Sequence, residues 1–341
     1  MDITTMAVDI AKNTFQLWGV NSAGRCVFKK KVSRSHFLPA LAKLKTCTVV
    51  MEACGGANHW SREITRTLEH EVKLISAQFV KPYVKTNKND LRDAEAIAEA
   101  ASRPNMRFVS PKSLEQQDWQ SLLRMRDHCV STRTRLSNHL RGLMTEYGVV
   151  LPQGIAQLRK ALPSLIAAEA DNGLTPMIKA LIASQYEQLL ALDEMIKAYT
   201  RQIDQLGQQH DVLKRLQTIP GVGPITALSL YVIGGNGSAF KNGRHFAAFL
   251  GLVPRQHSSG GREKHLGISK RGDGHTRKVL VHGARAALKY AKHKNDQQSR
   301  WVMSLAARKH VNTACVALAN KNARIAWAIL RFGDQYRVQA A

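Results

Sequence analysis

The first 112 residues alternate strand and helix signals, and this order constrains the fold more than any other feature of the chain. Runs rich in β-branched residues and bounded by turns predict strands in ITTMAVDIAK, TFQLWGVNSAGRCVFKKKV, CTVVMEACGG and EVKLISAQ. Helical spacing occupies the intervals HFLPALAKLK and HWSREITRTLEH. The predicted order is strand, strand, strand, helix, strand, helix, strand, helix. This order is typical of an α/β layered domain with a mixed sheet.

The next part, from about residue 113 to 210, has almost no strand signal and is predicted to be helical. Apolar residues recur at spacings of three and four, the a/d seam of packed helices, at Leu136, Leu140, Leu143 and Tyr147 and at Leu189, Leu192, Ile196, Tyr199, Ile203 and Leu206. Between them, Pro152 with Gly154 and Asn172 with Gly173 break the helix and let the chain turn back. The seam fits either a hairpin within one chain or a coiled coil between subunits.

The last part, residues 211–341, is predicted to be mainly α-helical. It opens with LQTIPGVGPITALSL, whose turn is typical of a helix-hairpin-helix motif. Gly221 and Gly223 would let the backbone approach a phosphate there, and a plain glycine-rich helix turn is the alternative. A loop rich in glycine, serine and basic residues follows, and amphipathic helices end the chain. The predicted domains are therefore residues 1–112, 113–210 and 211–341.

Charge narrows the choice of partner. The chain of 341 residues has 50 Lys and Arg against 25 Asp and Glu, a formal net charge of +25, which indicates a polyanionic partner such as nucleic acid. No run of about 18 apolar residues and no signal pattern is seen, so we expect a cytoplasmic protein without membrane contact. Its five scattered cysteines form no C-x-x-C pair and are expected to be buried, small apolar residues in a reducing compartment.

Four carboxylates form an ordered pattern in the first domain. Asp9 lies on the first strand, where alternation places it on the face of Ala7, and Glu52 ends the strand TVVME. Asp90 and Asp93 open a later helix, and residues three apart share a helix face. Either acidic residue there could simply complement the helix dipole. Together, however, four oxygen donors suit Mg²⁺ or Mn²⁺ and suit zinc poorly.

The first domain resembles the RuvC-like domains of the ribonuclease H superfamily, whose acidic residues hold two divalent ions for cutting phosphodiesters. The motifs VDIAK, MEACGG and KNDLRDAEAIAE, together with LQTIPGVGPITALSL and FAAFLGLVPRQHSSGG, resemble the transposases of the insertion-sequence 110 family over nearly the whole chain. The amino-acid sequence of the last motif favours the 1111 subgroup. The resemblance implies that the four carboxylates are catalytic and bind the metal.

The same resemblance implies a serine nucleophile a few residues after the GL-x-P stretch. Its position corresponds to Ser259, which precedes Gly260, and Ser258 is the adjacent alternative. Arg262, Lys264 or His265 would help neutralise charge on the phosphate. The histidines of this region have no recognisable zinc spacing, and we assign none of them a catalytic role. Nucleic-acid contacts are predicted at Lys85, Lys88, Arg92, Gly221, Gly223, Arg255, Arg262, Lys264, Lys270 and Arg271.

The function implied is that of an RNA-guided DNA recombinase of a mobile element. An RNA encoded by the element would pair with donor and target DNA, while the protein cuts and rejoins strands through a phosphoserine intermediate. The family also implies a homo-oligomer, a dimer or tetramer, with a composite site and an association with the bacterial nucleoid. The alternatives are a metal-dependent junction nuclease that activates water and a non-catalytic nucleic-acid scaffold. RNA guidance follows from the resemblance alone.

Overall fold

The computed structural model describes residues 2–85, 90–168, 172–258 and 264–338, except for the side chains of Asp90 and His265. The chain divides into two compact units, residues 1–116 and residues 117–341. Each unit is described below by itself. None of the helices in the described ranges is long and apolar enough to cross a membrane.

The first unit is an α/β layered structure around a mixed sheet, as the sequence predicts. Its strands are β1 (Thr5–Ile10), β2 (Thr14–Val20), β3 (Cys26–Ser33), β4 (Thr48–Glu52), β5 (Glu71–Ile75) and β6 (Phe108–Val109). Its helices are α1 (Phe37–Leu41), α2 (Ala57–Thr67), α3 (Ala77–Val80) and α4 (Asp90–Ala101), with short 3-10 turns at Arg34–His36 and Lys81–Tyr83. The short strand β6 carries too little periodicity to be predicted from sequence.

The strand order in this sheet is β3-β2-β1-β4-β5-β6. β1 pairs parallel to β4, and β4 pairs parallel to β5. The remaining neighbours are antiparallel. The two parallel pairs bring the carboxyl ends of β1, β4 and β5 to one edge, where open α/β sheets build their sites.

The two faces of the sheet bury different clusters. Met6, Val8 and Met51 belong to a cluster that includes α1 and α2. Ala7 and Val50 belong to the cluster of α4 on the opposite face. Because side chains alternate along a strand, Asp9 and Glu52 extend from the α4 face at the strand ends. The predicted pairing of Asp9 with the face of Ala7 is confirmed by this alternation.

The second unit is mostly helical. Its helices are α5 (Leu114–Thr145, which begins in the first unit), α6 (Ile155–Ala167), α7 (Pro176–Gln209), α8 (Asp211–Gln217), α9 (Pro224–Gly234), α10 (Gly243–Phe249), α11 (Gly274–Ala291), α12 (Gln297–Arg308) and α13 (Val311–Phe332). The antiparallel strands β7 (Pro254–Gln256) and β8 (His265–Ile268) form a small hairpin between α10 and α11.

Two buried clusters organise this unit. The seam residues Leu136, Leu140, Leu189, Leu192 and Ile196 pack together with α6 within the single chain. The ends of α5 and α7 instead contribute Trp119, Leu123 and Ile203 to the cluster around α9, α11 and α13. The long helices therefore reach both clusters, which explains why residues 117–341 form one unit. Between the predicted breaks, the chain forms α6 despite the internal Pro163.

Three acidic and basic side chains fix the packing of the long helices. Asp193 of α7 is only 5% exposed and forms ion pairs of 2.9 Å with both Arg133 of α5 and Arg159 of α6. Removing one partner would leave a buried charge unpaired, which is a large cost. This ion triad links α5, α6 and α7.

Candidate active site

Asp9 and Glu52 lie side by side at the carboxyl edge of the sheet. The parallel ladder of β1 and β4 pairs Val8 with Met51, so the next residues along the two strands are Asp9 and Glu52. Both side chains are half-buried. Adjacent strands are about 4.8 Å apart, so the two carboxylates start from neighbouring backbone positions.

Asp93 approaches the same edge from α4. This helix packs against β1, β2 and β4. Asp93 lies one turn before Ile97, which is buried in the cluster between the helix and the sheet. The Asp93 side chain is half-buried, and Asp90 begins the helix one turn earlier. The prediction that the D-x-x-D pair opens a helix is confirmed at the level of the backbone.

The carboxylates at this edge influence the protonation of their neighbours. Burial raises the pKa of Glu52 above its ordinary range, and the negative charge of Asp93 raises it further. Burial also raises the pKa of the Cys54 thiol, with additional contributions from the charges of Glu52 and Asp9. Cys54 is thereby kept as a neutral thiol, which makes it a poor nucleophile. Asp9, Glu52 and Asp93 thus act on one small region.

The donor chemistry of this region fits a divalent cation. Carboxylate oxygens are the ligands that Mg²⁺ and Mn²⁺ prefer, and a bound cation would offset both the burial and the repulsion from Asp93 that raise the pKa of Glu52. Within the described side chains, which do not include that of Asp90, no three His, Cys, Asp or Glu groups are close enough to hold a metal ion. Convergence of all four carboxylates on an ion remains a prediction.

The predicted basic contacts of the first unit differ in their surroundings. Lys85 donates to Glu95 of α4 at 2.9 Å, an exposed ion pair that raises the pKa of Lys85. Arg92 is exposed on the first turn of α4. Lys88 lies outside the described residues. Lys85 must therefore exchange Glu95 for a phosphate if it is to contact nucleic acid.

The serine loop joins β7 to β8. Ser258 is exposed, and its hydroxyl accepts a hydrogen bond from Gln256 Nε2 at 3.0 Å. Ser259 and Arg262 lie outside the described residues, as does the side chain of His265. Arg255, Lys264, Lys270 and Arg271 are all exposed. The described part of the hairpin is thus a solvent-facing surface with positive charge.

The glycines of the TIPGVG turn have different roles. Gly221 has a φ of +85°, and an added Cβ would collide with the backbone of Gly283 in α11. Gly223 is the N-cap residue of α9, with open space where its Cβ would be. Gly221 is therefore needed for the close packing of two backbones, whether or not the turn also contacts a phosphate. Of the two, Gly223 has room for a ligand.

Sequence reasoning missed one neighbour of the carboxylates and misjudged one cysteine. Cys54 was expected to be a buried core residue, but it is half-buried beside Glu52. Its position two residues after a strand-ending glutamate is the signal that could have identified it. Cys26 is exposed at the start of the edge strand β3, so the expectation that all five cysteines are buried was wrong. Cys47, Cys129 and Cys315 are buried as expected.

Comparison with known proteins identifies the family. Residues 6–149 match the transposase family DEDD_Tnp_IS110, and residues 213–301 match the family described as Transposase IS116/IS110/IS902 family. The transposase for insertion sequence element IS1111A of Coxiella burnetii is 49% identical over 339 residues, covering 99% of this chain and 93% of that protein. The chain belongs to this transposase family.

Other relatives agree with this assignment. The transposase for insertion sequence element IS1328 of Yersinia enterocolitica is 38% identical over 98% of this chain and 99% of that protein. The pilin gene-inverting protein of Moraxella lacunata is 25% identical over 76% of this chain and 75% of that protein. The predicted family and its 1111 subgroup are confirmed. As an insertion-sequence transposase, the protein cleaves and rejoins DNA, and DNA is its substrate.

Proposed function

We propose that this transposase is an RNA-guided DNA recombinase that cuts and rejoins strands through a covalent bond to Ser259. The observation that carries the acidic half of the proposal is that Asp9 and Glu52 end adjacent parallel strands on the face of the sheet against which α4, the helix of Asp93, packs. The serine half and the RNA partner rest on the motifs that the chain shares with its family. Ser259 is the assigned nucleophile and Ser258 the adjacent alternative.

The proposed reaction is a phosphoryl transfer. The hydroxyl oxygen of Ser259 bonds to phosphorus, the bond from phosphorus to one bridging sugar oxygen breaks, and the serine proton passes in net to that leaving oxygen. Attack by a sugar hydroxyl of another strand reverses these changes and frees the serine. Arg262 and Lys264 carry positive charge suited to the transferring phosphate.

Asp9, Glu52, Asp90 and Asp93 would hold Mg²⁺ or Mn²⁺. A divalent ion bound there supplies charge neutralisation at the phosphate and makes a nearby hydroxyl more acidic. The chain holds its carboxylates in place on β1, β4 and α4, so their side chains lose little conformational entropy when the ion binds. Half-burial of three of them limits how much water competes for the same position.

The proposed assembly has three parts and several partners. Residues 1–112 would be the acidic catalytic domain, 113–210 a helical region that joins subunits, and 211–341 the serine domain. Donor DNA, target DNA and an RNA encoded by the element would bind a dimer or tetramer, in which the acidic domain of one subunit faces the serine domain of another. The name of the pilin gene-inverting relatives supports a reaction that rearranges DNA by rejoining strands.

The proposal is tested by trapping the reaction on a suicide DNA substrate that carries an end of the encoding element, with the element's RNA and Mg²⁺ present. A labelled DNA end should remain on the protein after denaturation. Ser259→Ala should abolish this adduct and leave DNA binding intact, since it removes only a hydroxyl group. Asp93→Asn should abolish it as well, because a neutral amide is a weaker metal ligand.

The outcomes separate the proposal from its alternatives. If Ser259→Ala still cuts DNA at a near-normal rate while Asp93→Asn is inactive, the protein is a nuclease that activates water. If the adduct persists in Ser259→Ala and disappears in Ser258→Ala, the nucleophile is the neighbouring serine. If neither wild type nor variant cuts DNA, a non-catalytic scaffold is supported. Omitting the RNA tests guidance separately, since an unguided recombinase would form the adduct without it.

A further inference from the structure

The carboxylates share a row of the sheet with a lysine. Asp9 of β1 pairs with Gln16 of β2, and Gln16 pairs with Lys31 of β3. Since directly paired residues point to the same face, Asp9, Gln16 and Lys31 lie on the face that carries α4. Together with Glu52, they form a line of four side chains across four strands. The line runs from negative charge at Glu52 to positive charge at Lys31.

A second lysine lies one pleat further along the same face. Lys29 pairs with Trp18, and its Nζ lies 4.1 Å from the centroid of the Trp18 ring. Trp18 belongs to the buried cluster under α4. This cation–π contact positions the Lys29 ammonium over the sheet beside the row of carboxylates. Lys29 and Lys31 are both exposed on the edge strand β3, while α4 packs against β1, β2 and β4.

We propose that Lys29 and Lys31 form a phosphate-binding site for the DNA strand that is cut at the carboxylates. An acidic centre repels a polyanionic strand, so a strand lying there needs compensating positive charge along its path. The open face of β3 supplies that charge at a fixed position on the same rigid sheet. This inference rests on the proposed function and assigns two residues that bind its substrate.

The spacing fits a strand lying across the sheet. Lys31 is two strands from Asp9, roughly 10 Å between backbone positions at about 4.8 Å per strand. The rise of about 3.4 Å per nucleotide is measured along the duplex axis, and because phosphates also wind around that axis, neighbouring phosphates of one strand are farther apart than this. A phosphate one or two nucleotides from the one at Asp9 would therefore lie near Lys31. Gln16, between them, offers an amide that can hydrogen-bond to the intervening backbone.

The chain offers a matched control in the adjacent residue. Lys30 is also exposed and carries the same charge, but it pairs with Leu17 on the opposite face. Lys30→Ala therefore changes the net charge of the protein exactly as much as Lys31→Ala does, without changing the face of the carboxylates. A difference in DNA affinity between the two variants is therefore due to the face of the sheet on which the lysine lies and not to the net charge of the protein.

The experiment measures affinity for a fixed DNA oligonucleotide as a function of salt concentration, using the full chain. Loss of one phosphate contact should lower the slope of log affinity against log salt by about 0.7–0.9 in Lys31→Ala. Between 50 and 200 mM salt, wild type should then lose about three times more affinity than Lys31→Ala does. Lys30→Ala should retain the wild-type slope, and Lys31→Arg should restore it.

Each result decides the proposal. Equal slopes for Lys31→Ala and Lys30→Ala, or a larger loss in Lys30→Ala, would overturn it. A loss seen with an RNA oligonucleotide and not with DNA would overturn the assignment to the DNA strand. Binding is measured without cleavage, so a protein that forms no serine adduct but shows the lysine difference contradicts the proposed mechanism and leaves this site standing. Circular dichroism of each variant checks that it is folded.

Discussion

Glu52 is a residue whose charge opposes folding when no cation is bound. Burial and the charge of Asp93 raise its pKa, so the folded chain binds a proton there more tightly than the unfolded chain does. Linkage then requires that the stability contributed by this group falls as the pH rises above the ordinary glutamate pKa of about 4.3. At neutral pH the ionised carboxylate is held at an energetic cost, as is common at catalytic sites.

We predict that Glu52→Gln raises the melting temperature of the metal-free protein at pH 7. The amide is neutral at every pH, so the repulsion from Asp93 disappears. Because the site is partly solvated, the gain in the free energy of unfolding should be modest, about 0.5–1 kcal/mol. The gain should shrink toward pH 4, where wild-type Glu52 is itself protonated. Thermal unfolding followed by circular dichroism across this pH range measures it.

Glu71 provides a control of opposite sign on the neighbouring strand. Its hydrogen bond with Lys73 lowers its pKa, despite an opposing effect of burial, and Thr48 also donates to it. Its ionised form therefore favours folding above the ordinary glutamate pKa, and this contribution is lost as the pH falls. Glu71→Gln should not stabilise the protein at pH 7.

Adding Mg²⁺ should raise the melting temperature of wild type more than that of Glu52→Gln, because the glutamine variant lacks one carboxylate ligand. Equal shifts in melting temperature would contradict metal binding at Glu52.

Single residues differ in how far sequence could predict their place. Asp9 and Glu52 were predictable because a charge on an otherwise apolar strand or at its end departs from the pattern, and Asp93 because it is spaced three residues from Asp90 at the start of a helix. Lys31 was not, because a run of three lysines on an edge strand has the same local sequence whichever lysine faces the carboxylates. Only the pairing of β1, β2 and β3 resolves this choice. The sequence places Cys54 near Glu52, but its proximity to Asp9 also depends on the pairing of β1 with β4.

At the scale of elements, the TIPGVG turn and α11 form a contact between two backbones. Gly221 has a left-handed φ and no room for a Cβ, and Gly283 would collide with Gly221 in the same way. We predict that Gly221→Ala destabilises the protein by about 2–4 kcal/mol, from strain and from separation of α9 and α11. Gly223→Ala should cost less than about 1 kcal/mol, since its Cβ would meet nothing. Urea unfolding of both variants measures the difference.

The reciprocal substitution tests the same contact from the other side. Gly283→Ala should destabilise the protein about as much as Gly221→Ala, and the double variant should cost less than the sum of the two, because both break one contact. Full additivity, or a Gly221→Ala variant as stable as wild type, would contradict this account. Reduced nucleic-acid affinity in Gly223→Ala with stability retained would assign the phosphate role to Gly223.

Helix positions were more predictable than helix packing. The seam of α5 and α7 follows a period that is visible in the sequence, and Leu136, Leu140, Leu189, Leu192 and Ile196 are buried as that period requires. The predicted seam residue Tyr147 is instead exposed, because α5 ends at Thr145. The sequence did not indicate that α6 lies between them, because Pro163 interrupts its pattern. Nor could it indicate that Asp193 would be neutralised by Arg133 and Arg159, since that pairing depends on how three helices meet.

For the whole molecule, composition alone made a correct prediction about the class of partner. An excess of 25 positive charges is unfavourable for an isolated compact chain and favourable for one that binds a polyanion. Family membership agrees, since an insertion-sequence transposase has DNA as its substrate. The particular DNA sequence lies beyond this argument, because charge attracts every phosphate backbone equally.

The same excess of charge predicts how binding responds to salt. Each phosphate neutralised by Lys or Arg releases condensed cations, so the affinity for a DNA duplex of arbitrary sequence should fall steeply with salt. If the protein makes about six to ten phosphate contacts, the loss between 50 and 200 mM salt is about 10³–10⁵-fold. Fluorescence anisotropy at several salt concentrations measures the slope, and sucrose at matched osmolality is the control for hydration effects.

Removing the side-chain charges of Arg255, Lys264, Lys270 and Arg271 together should lower the slope by up to about 3.6, because all four are exposed on or beside the serine hairpin. A wild-type affinity that does not change across this salt range would show that the charge serves another purpose. A steep slope that is unchanged in the fourfold variant would show that the DNA is bound elsewhere than at the hairpin.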